Sequence, residues 1–168
     1  MTNTMKILKS TAIFAVLLAV LLCFVACDEP AENGKVYTFS HNGCEIAVDA
    51  DMASLITSLG APLHSDALGT CGLRGEMDRI FDYSDFTIYT AEVNGKDRID
   101  SLVLKSDLVS TKEGIAIGDD EAKVVEKYGE PSVRKQEKLE YDGVYMKLDF
   151  YLENGVVTSI EYRYTIEE

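Results

Sequence analysis

The chain has 168 residues, of which 46 % are hydrophobic, enough to bury the core of one domain or of two small, closely packed subdomains. Its formal net charge of −13 repels phosphate backbones and anionic lipid, which sets it against nucleic-acid binding. No glycine-rich phosphate loop, zinc-ligand spacing, nucleophile elbow or dinucleotide fingerprint occurs in it.

Lys6 and Lys9 give the chain a positive start, and Ala12 through Ala26 are uncharged and mostly apolar. That order is an export signal. An uncleaved membrane-spanning helix needs roughly 20 apolar residues, and this run is nearer the length of a signal core. Its end, Phe24-Val25-Ala26-Cys27, resembles the lipobox of bacterial lipoproteins, with Phe24 where that family usually has Leu. The resemblance implies a diacylglycerol thioether on Cys27 and cleavage just before it, so residues 1–26 are a lipoprotein signal peptide. Losing Lys6 and Lys9 takes the charge of the mature chain from −13 to −15. With about 0.8 kcal/mol for each buried methylene, two or more acyl chains make release from a bilayer rare. The expected address is therefore the extracytoplasmic face of the cell membrane, with the membrane itself as a partner through the lipid. Residues 27–35, with Asp28, Glu29, Pro30 and Gly34, read as a flexible linker.

Cys23 and Cys27 belong to this leader, which leaves Cys44 and Cys71. In an exported chain two such thiols are expected to form a disulfide. The 27-residue separation corresponds to roughly 3–4 kcal/mol on the chain-entropy argument. Free thiols are the alternative.

Next comes an internal similarity. At an offset of 69, Ile46-Ala47-Val48-Asp49-Ala50-Asp51 falls on Ile115-Ala116-Ile117-Gly118-Asp119-Asp120, and Gly60 and Pro62 fall on Gly129 and Pro131. This predicts two copies of one unit, the first over 36–110 with a Cys71 loop insertion and the second over 111–168. Met52, Leu55, Ile56 and Leu59 have the spacing of a helix with one apolar face, so helices are predicted over 52–59 and 120–128. Asp51, Asp119 and Asp120 are placed to cap their first turns, and the glycines to close them.

After each helix the period becomes two. Val144, Met146, Leu148, Phe150 and Leu152 alternate with Tyr145, Lys147, Asp149, Tyr151 and Glu153, and Asn154-Gly155 marks a tight turn before Val156, Ile160, Tyr162 and Tyr164. That pattern predicts an antiparallel hairpin. Phe86 to Leu104, with Asn94-Gly95 inside it, predicts another. Arg134 to Tyr141 is expected to add a strand, and His64 to Asp78 to form a loop.

The two-copy pattern resembles the β-lactamase-inhibitor-protein-like folds and the SmpA/OmlA (BamE-like) envelope lipoprotein domains. With Cys71-Gly72-Leu73, Phe81-Asp82-Tyr83 and Thr111 through Gly118, it also looks like exported lipoproteins of Gram-positive anaerobes. The resemblance implies an α+β fold, a tandem repeat of short helix plus antiparallel β-sheet.

Few residues carry chemistry. His41 and His64 are the only histidines, and His64 could activate a Cys71 thiol, although a disulfide accounts for Cys71 more simply. The pairs Asp49/Asp51, Asp119/Asp120 and Asp82/Asp85 offer oxygens to calcium, but the first two precede helix starts, where capping explains them, and the calcium-loop pattern is missing. No metal or other cofactor is expected. Tyrosine is enriched, and it favours binding surfaces. By alternation Tyr145 and Tyr151 face solvent and are interface candidates, joined by Tyr83. The expected function is a lipid-anchored, non-catalytic module that binds another envelope or secreted protein. The alternatives are an envelope thiol enzyme or hydrolase using Cys71, and a small-ligand or metal-sensing lipoprotein.

Overall fold

A computed structural model describes residues 34–69 and 78–165. Cys27, Cys71 and the leader lie outside the described residues. The elements run β1 (Phe39–His41), β2 (Cys44–Ile46), α1 (Met52–Leu59), β3 (His64–Gly69), β4 (Asp78–Asp82), β5 (Phe86–Val93) and β6 (Lys96–Leu104). They continue as α2 (Glu121–Tyr128), β7 (Val133–Lys135), β8 (Lys138–Gly143), β9 (Met146–Glu153) and β10 (Val156–Tyr164).

The expected α+β tandem repeat of helix plus sheet is corrected by this architecture. About 51 % of the described residues are in strands and 13 % in helix, so the fold is mostly antiparallel β. Strands β3 to β10 form one eight-stranded sheet in the order β3-β4-β5-β6-β10-β9-β8-β7, and β1 and β2 form a separate ribbon. The physical reason lies at the seam. β6 and β10 would each expose an unpaired row of amides and carbonyls if the halves were separate, and such edges are costly. Instead they pair with each other, Leu104 opposite Ile160 and Leu102 opposite Tyr162. The helices are minor partners, since eight residues rise only about 12 Å.

Local rules account for most elements. Asn94-Gly95 and Asn154-Gly155 both take positive φ, as a two-residue hairpin turn of this hand requires. Gly60 and Gly129 close the helices with φ of 80° and 81° and donate their amides to Ile56 and Val125. In α1, Met52 and Leu59 are buried, while Ile56 of the predicted stripe is exposed. Asp51 caps α1 through the Ala53 amide, whereas Asp120 makes no side-chain cap at α2. Asp119 turns back instead to the Ala116 amide and to Lys123, each at 2.8 Å.

Two bulges shift the expected alternation. Thr158 is extra on β10, between the pairs Val157–Leu152 and Ser159–Tyr151, so Val157 and Ile160 both reach the core. Asp100 is likewise extra on β6, which turns Ile99 and Leu102 to one side. An inserted residue of this kind re-aims the side chains after it. His64 to Gly69 forms edge strand β3 rather than a loop, and the single strand expected near Arg134 is two, β7 and β8. The core on the helix side gathers Phe39, Phe86, Phe150, Ile99, Leu102 and Ile160, with Phe39 set edge-on to Phe86 at 5.2 Å.

Candidate functional site

One face of the sheet carries α1, α2 and the 34–41 segment, and none of the described elements packs on the other. Because side chains alternate along each strand, register decides which of them meet there. A row crosses the open face through Asp82, Thr87, Val103, Glu161, Asp149 and Glu140, each opposite the next on neighbouring strands. A parallel row runs through Ile80, Tyr89, Ser101, Arg163, Lys147 and Asp142.

Carboxylates directly opposite one another repel. The β8–β9–β10 half resolves this with cations from adjacent positions. Lys138 Nζ lies 2.9 Å from both Asp149 Oδ2 and Glu140 Oε2, and Arg163 Nη2 lies 3.1 Å from Asp149 Oδ2. Lys147 pairs with Glu140 and, at 3.4 Å, with Asp142. Asp149 is wholly buried beneath these side chains although it belongs to the open face. Its Oδ1 has no hydrogen-bond donor among the described residues, so its compensation comes through Oδ2. Tyr151 stands beside the cluster, donating to Glu161 Oε2 at 2.9 Å with the Lys138 ammonium 5.6 Å from its ring centre.

Ionisation follows the geometry. Burial works to raise the Glu140 carboxyl, but hydrogen bonds from Lys147 and Lys138 outweigh it and bring the group down to about 2. Burial also works against the charges of Lys138 and Arg163, and their bonds to Asp149 overcome it, so both are raised. Tyr151 is raised by burial and by its bond to Glu161. Glu140, Lys138 and Arg163 thus keep their charges across neutral pH. The cluster's formal charges nearly cancel, within a chain that is strongly acidic as a whole.

The β4–β5–β6 half of the open face is different. Ile80, Tyr89 and Val103 are half-buried, Thr87 and Ser101 more so. Its ionic contact sits toward the rim, where Lys105 and the Thr87 hydroxyl bind Asp82 at 2.5 and 2.7 Å. The open face therefore joins an uncharged strip with an aromatic ring to a locked lattice of charges.

Of the residues singled out in the sequence, Tyr151 lies on this face as expected. Tyr145 does not stand on a strand; it occupies the turn between β8 and β9, exposed, with φ 56°. Tyr83 is corrected from interface to core: it is 7 % exposed, stacks on Phe86 at 4.8 Å, and its hydroxyl donates to the Gly60 carbonyl at 3.3 Å. Cys44 is half-buried on β2 and is the only cysteine among the described residues. The Cys44–Cys71 pair and the Cys27 lipidation site therefore lie outside what is described. His64 begins β3 and Gly69 ends it, five residues or about 17 Å apart along the strand. Cys71, the proposed thiol partner of His64, lies outside the described residues.

Several of the proposed oxygen donors are otherwise engaged. Asp51 caps α1 and pairs with Lys96 at 3.3 Å, Asp119 holds Lys123, and Asp85 accepts from Ser84. No group of three or more metal-ligating side chains assembles among the described residues, and none of their helices is long and apolar enough to cross a membrane. Sequence reasoning missed that Arg163, Lys138 and Tyr89 share one face. Their alternation was visible, but only strand register shows what each one meets.

No family model matches the chain, and no curated protein or solved structure matches it either.

Proposed function

We propose that the protein is a lipid-anchored, extracytoplasmic binding module that holds another envelope or secreted protein on the open face of its sheet. The observation that carries this reading is the join on one surface of a half-buried apolar and aromatic strip, Ile80, Tyr89 and Val103, to the ordered side chains of Tyr151 and Arg163. Tyr and Arg are the residues most enriched at the centres of protein interfaces. Here their rotamers are already fixed by the ion pairs beneath them, so less freedom is lost on binding. Balanced charge within a −15 chain also makes this face the part of the surface least repulsive to an acidic partner. The export signal and lipobox supply the address, and nothing in this reading calls for bond chemistry.

Photo-crosslinking residues placed in intact cells test the reading. Substitution at Tyr151 or Tyr89 is expected to capture one reproducible protein, and substitution at exposed Ser58 of α1 to capture none. Equal capture from both positions, or none from either, contradicts it.

A further inference from the structure

We infer that the turn between β8 and β9 is a membrane-seating tip, with Tyr145 and Val36 resting in the headgroup layer of the bilayer that holds Cys27; this deepens, and rests on, the lipid-anchor reading.

The turn is unusual in its chemistry. Hairpin turns at Asn42-Gly43, Asn94-Gly95 and Asn154-Gly155 place positive φ on Asn and Gly, the residues that adopt it at least cost. Between Gly143 and Met146 the two turn residues are Val144 and Tyr145, and Tyr145 takes φ 56°. A bulky side chain in that conformation costs on the order of 1 kcal/mol. Packing offsets little of that cost, since Tyr145 is 54 % exposed. Strain held at an exposed aromatic points to a task for the ring outside the fold.

The place of the turn says what that task is. The Val144 amide donates to the Lys35 carbonyl at 3.1 Å, and the Thr165 amide donates to the Tyr145 carbonyl at 2.8 Å. Gly34 packs so closely on Val144 that a side chain there would collide with it. The chain coming from Cys27 therefore joins the folded domain at this turn. Six residues separate Cys27 from Gly34, and the seven steps between them reach at most about 25 Å, so a lipidated Cys27 keeps this end of the domain near the bilayer. Val36, next along the chain, is 55 % exposed. Val36, Val144 and Tyr145 bring apolar and aromatic side chains to this junction, flanked by Lys35 and Asp142, and tyrosine favours the headgroup level of membranes. A tether confining the tip at millimolar effective concentration lets a weak seat be occupied. The hairpin at Asn154-Gly155 lies at the other end of β9, about 25 Å away.

The chain contains no tryptophan, so Tyr145→Trp introduces a single probe, and Thr158→Trp, exposed beside the far hairpin, introduces its control. The full chain is produced in a lipoprotein-processing bacterium, purified from the membrane and reconstituted in phosphatidylcholine vesicles with bromine at shallow acyl positions. The intact mass is expected to show diacylglycerol on Cys27, and Tyr145→Trp to be quenched at least about twofold more than Thr158→Trp with a blue-shifted emission. Adding phosphatidylglycerol is expected not to strengthen the quenching, because the mature chain is acidic. Lipidated protein quenched equally at both positions overturns the tip and leaves the anchor standing. A Cys27 without lipid overturns the anchor and the tip together.

Discussion

The two four-stranded halves of the sheet agree on one face and diverge on the other. On the helix side Tyr83 donates to the Gly60 carbonyl at the end of α1 at 3.3 Å, and Tyr141 donates to the Gly129 carbonyl at the end of α2 at 3.0 Å. Both tyrosines occupy the same place relative to their helices and answer a carbonyl that the helix end leaves free. On the open face the β3–β6 half presents Ile80, Tyr89 and Val103, while the β7–β10 half presents Lys138, Glu140, Lys147, Asp149 and Arg163. Helix contacts constrain one surface tightly, and the other is free to differ. A surface that the fold does not specify is where a specific partner can be written.

Breaking the charged half gives the largest expected effect. Asp149→Ala leaves Lys138 and Arg163 facing each other without the buried carboxylate between them, and losing one partner of a buried ionic cluster costs about 3–5 kcal/mol. Thermal or urea unfolding reads this directly. Tyr89→Ala, on the open face of the other half, removes a half-buried ring and is expected to cost about 1–2 kcal/mol, so comparable losses at both positions would erase the proposed contrast.

Acid sharpens the same contrast. Glu140 is held at about 2 in the fold against an ordinary value of 4.5. A carboxyl lowered on folding contributes stability that is complete above its unfolded value and is lost as pH falls through the folded one. Stability is therefore expected to decline from about pH 5 toward pH 2, and Glu140→Gln to flatten that part of the profile. An unchanged slope in the variant would remove Glu140 from the cluster's energetics.

The matched tyrosines test the half of the comparison where the two regions agree. Tyr141→Phe and Tyr83→Phe each delete one hydroxyl bond and are expected to cost about 0.5–1.5 kcal/mol, with the shorter bond of Tyr141 giving the larger loss. Smallest, and opposite in sign, is Tyr145→Asn: a residue suited to positive φ is expected to raise stability by about 1 kcal/mol or less. A loss there would mean that the ring contributes to the fold after all.

The parts of the fold legible in the sequence were those governed by neighbours along the chain. The helices at Met52–Leu59 and Glu121–Tyr128, their closing glycines, the Asn-Gly turns and the alternation through β9 follow from spacing and turn chemistry alone. Pairing between distant strands was not legible. Nothing near Leu104 or Ile160 announces that β6 and β10 meet, and that pairing turns two expected units into one sheet. Inserted Asp100 and Thr158 break a period of two that a pattern would extend through them, and β3 was obscured by Gly69 and by polar residues usual in loops. At the site, Tyr151 was legible because alternation fixed its side. Tyr83 was not, because it lies just past the end of β4 and its burial depends on Phe86 and on the end of α1.

The seam between β6 and β10 offers the most direct test, since only a continuous sheet yields one open face. Hydrogen exchange at the amides of Leu102, Leu104, Ile160 and Tyr162 is expected to show the protection found within β9, with all of them opening in the same cooperative unfolding. Seam amides that exchange well before those of β9, with the halves unfolding in separate steps, would contradict a single sheet and the shared binding face drawn from it.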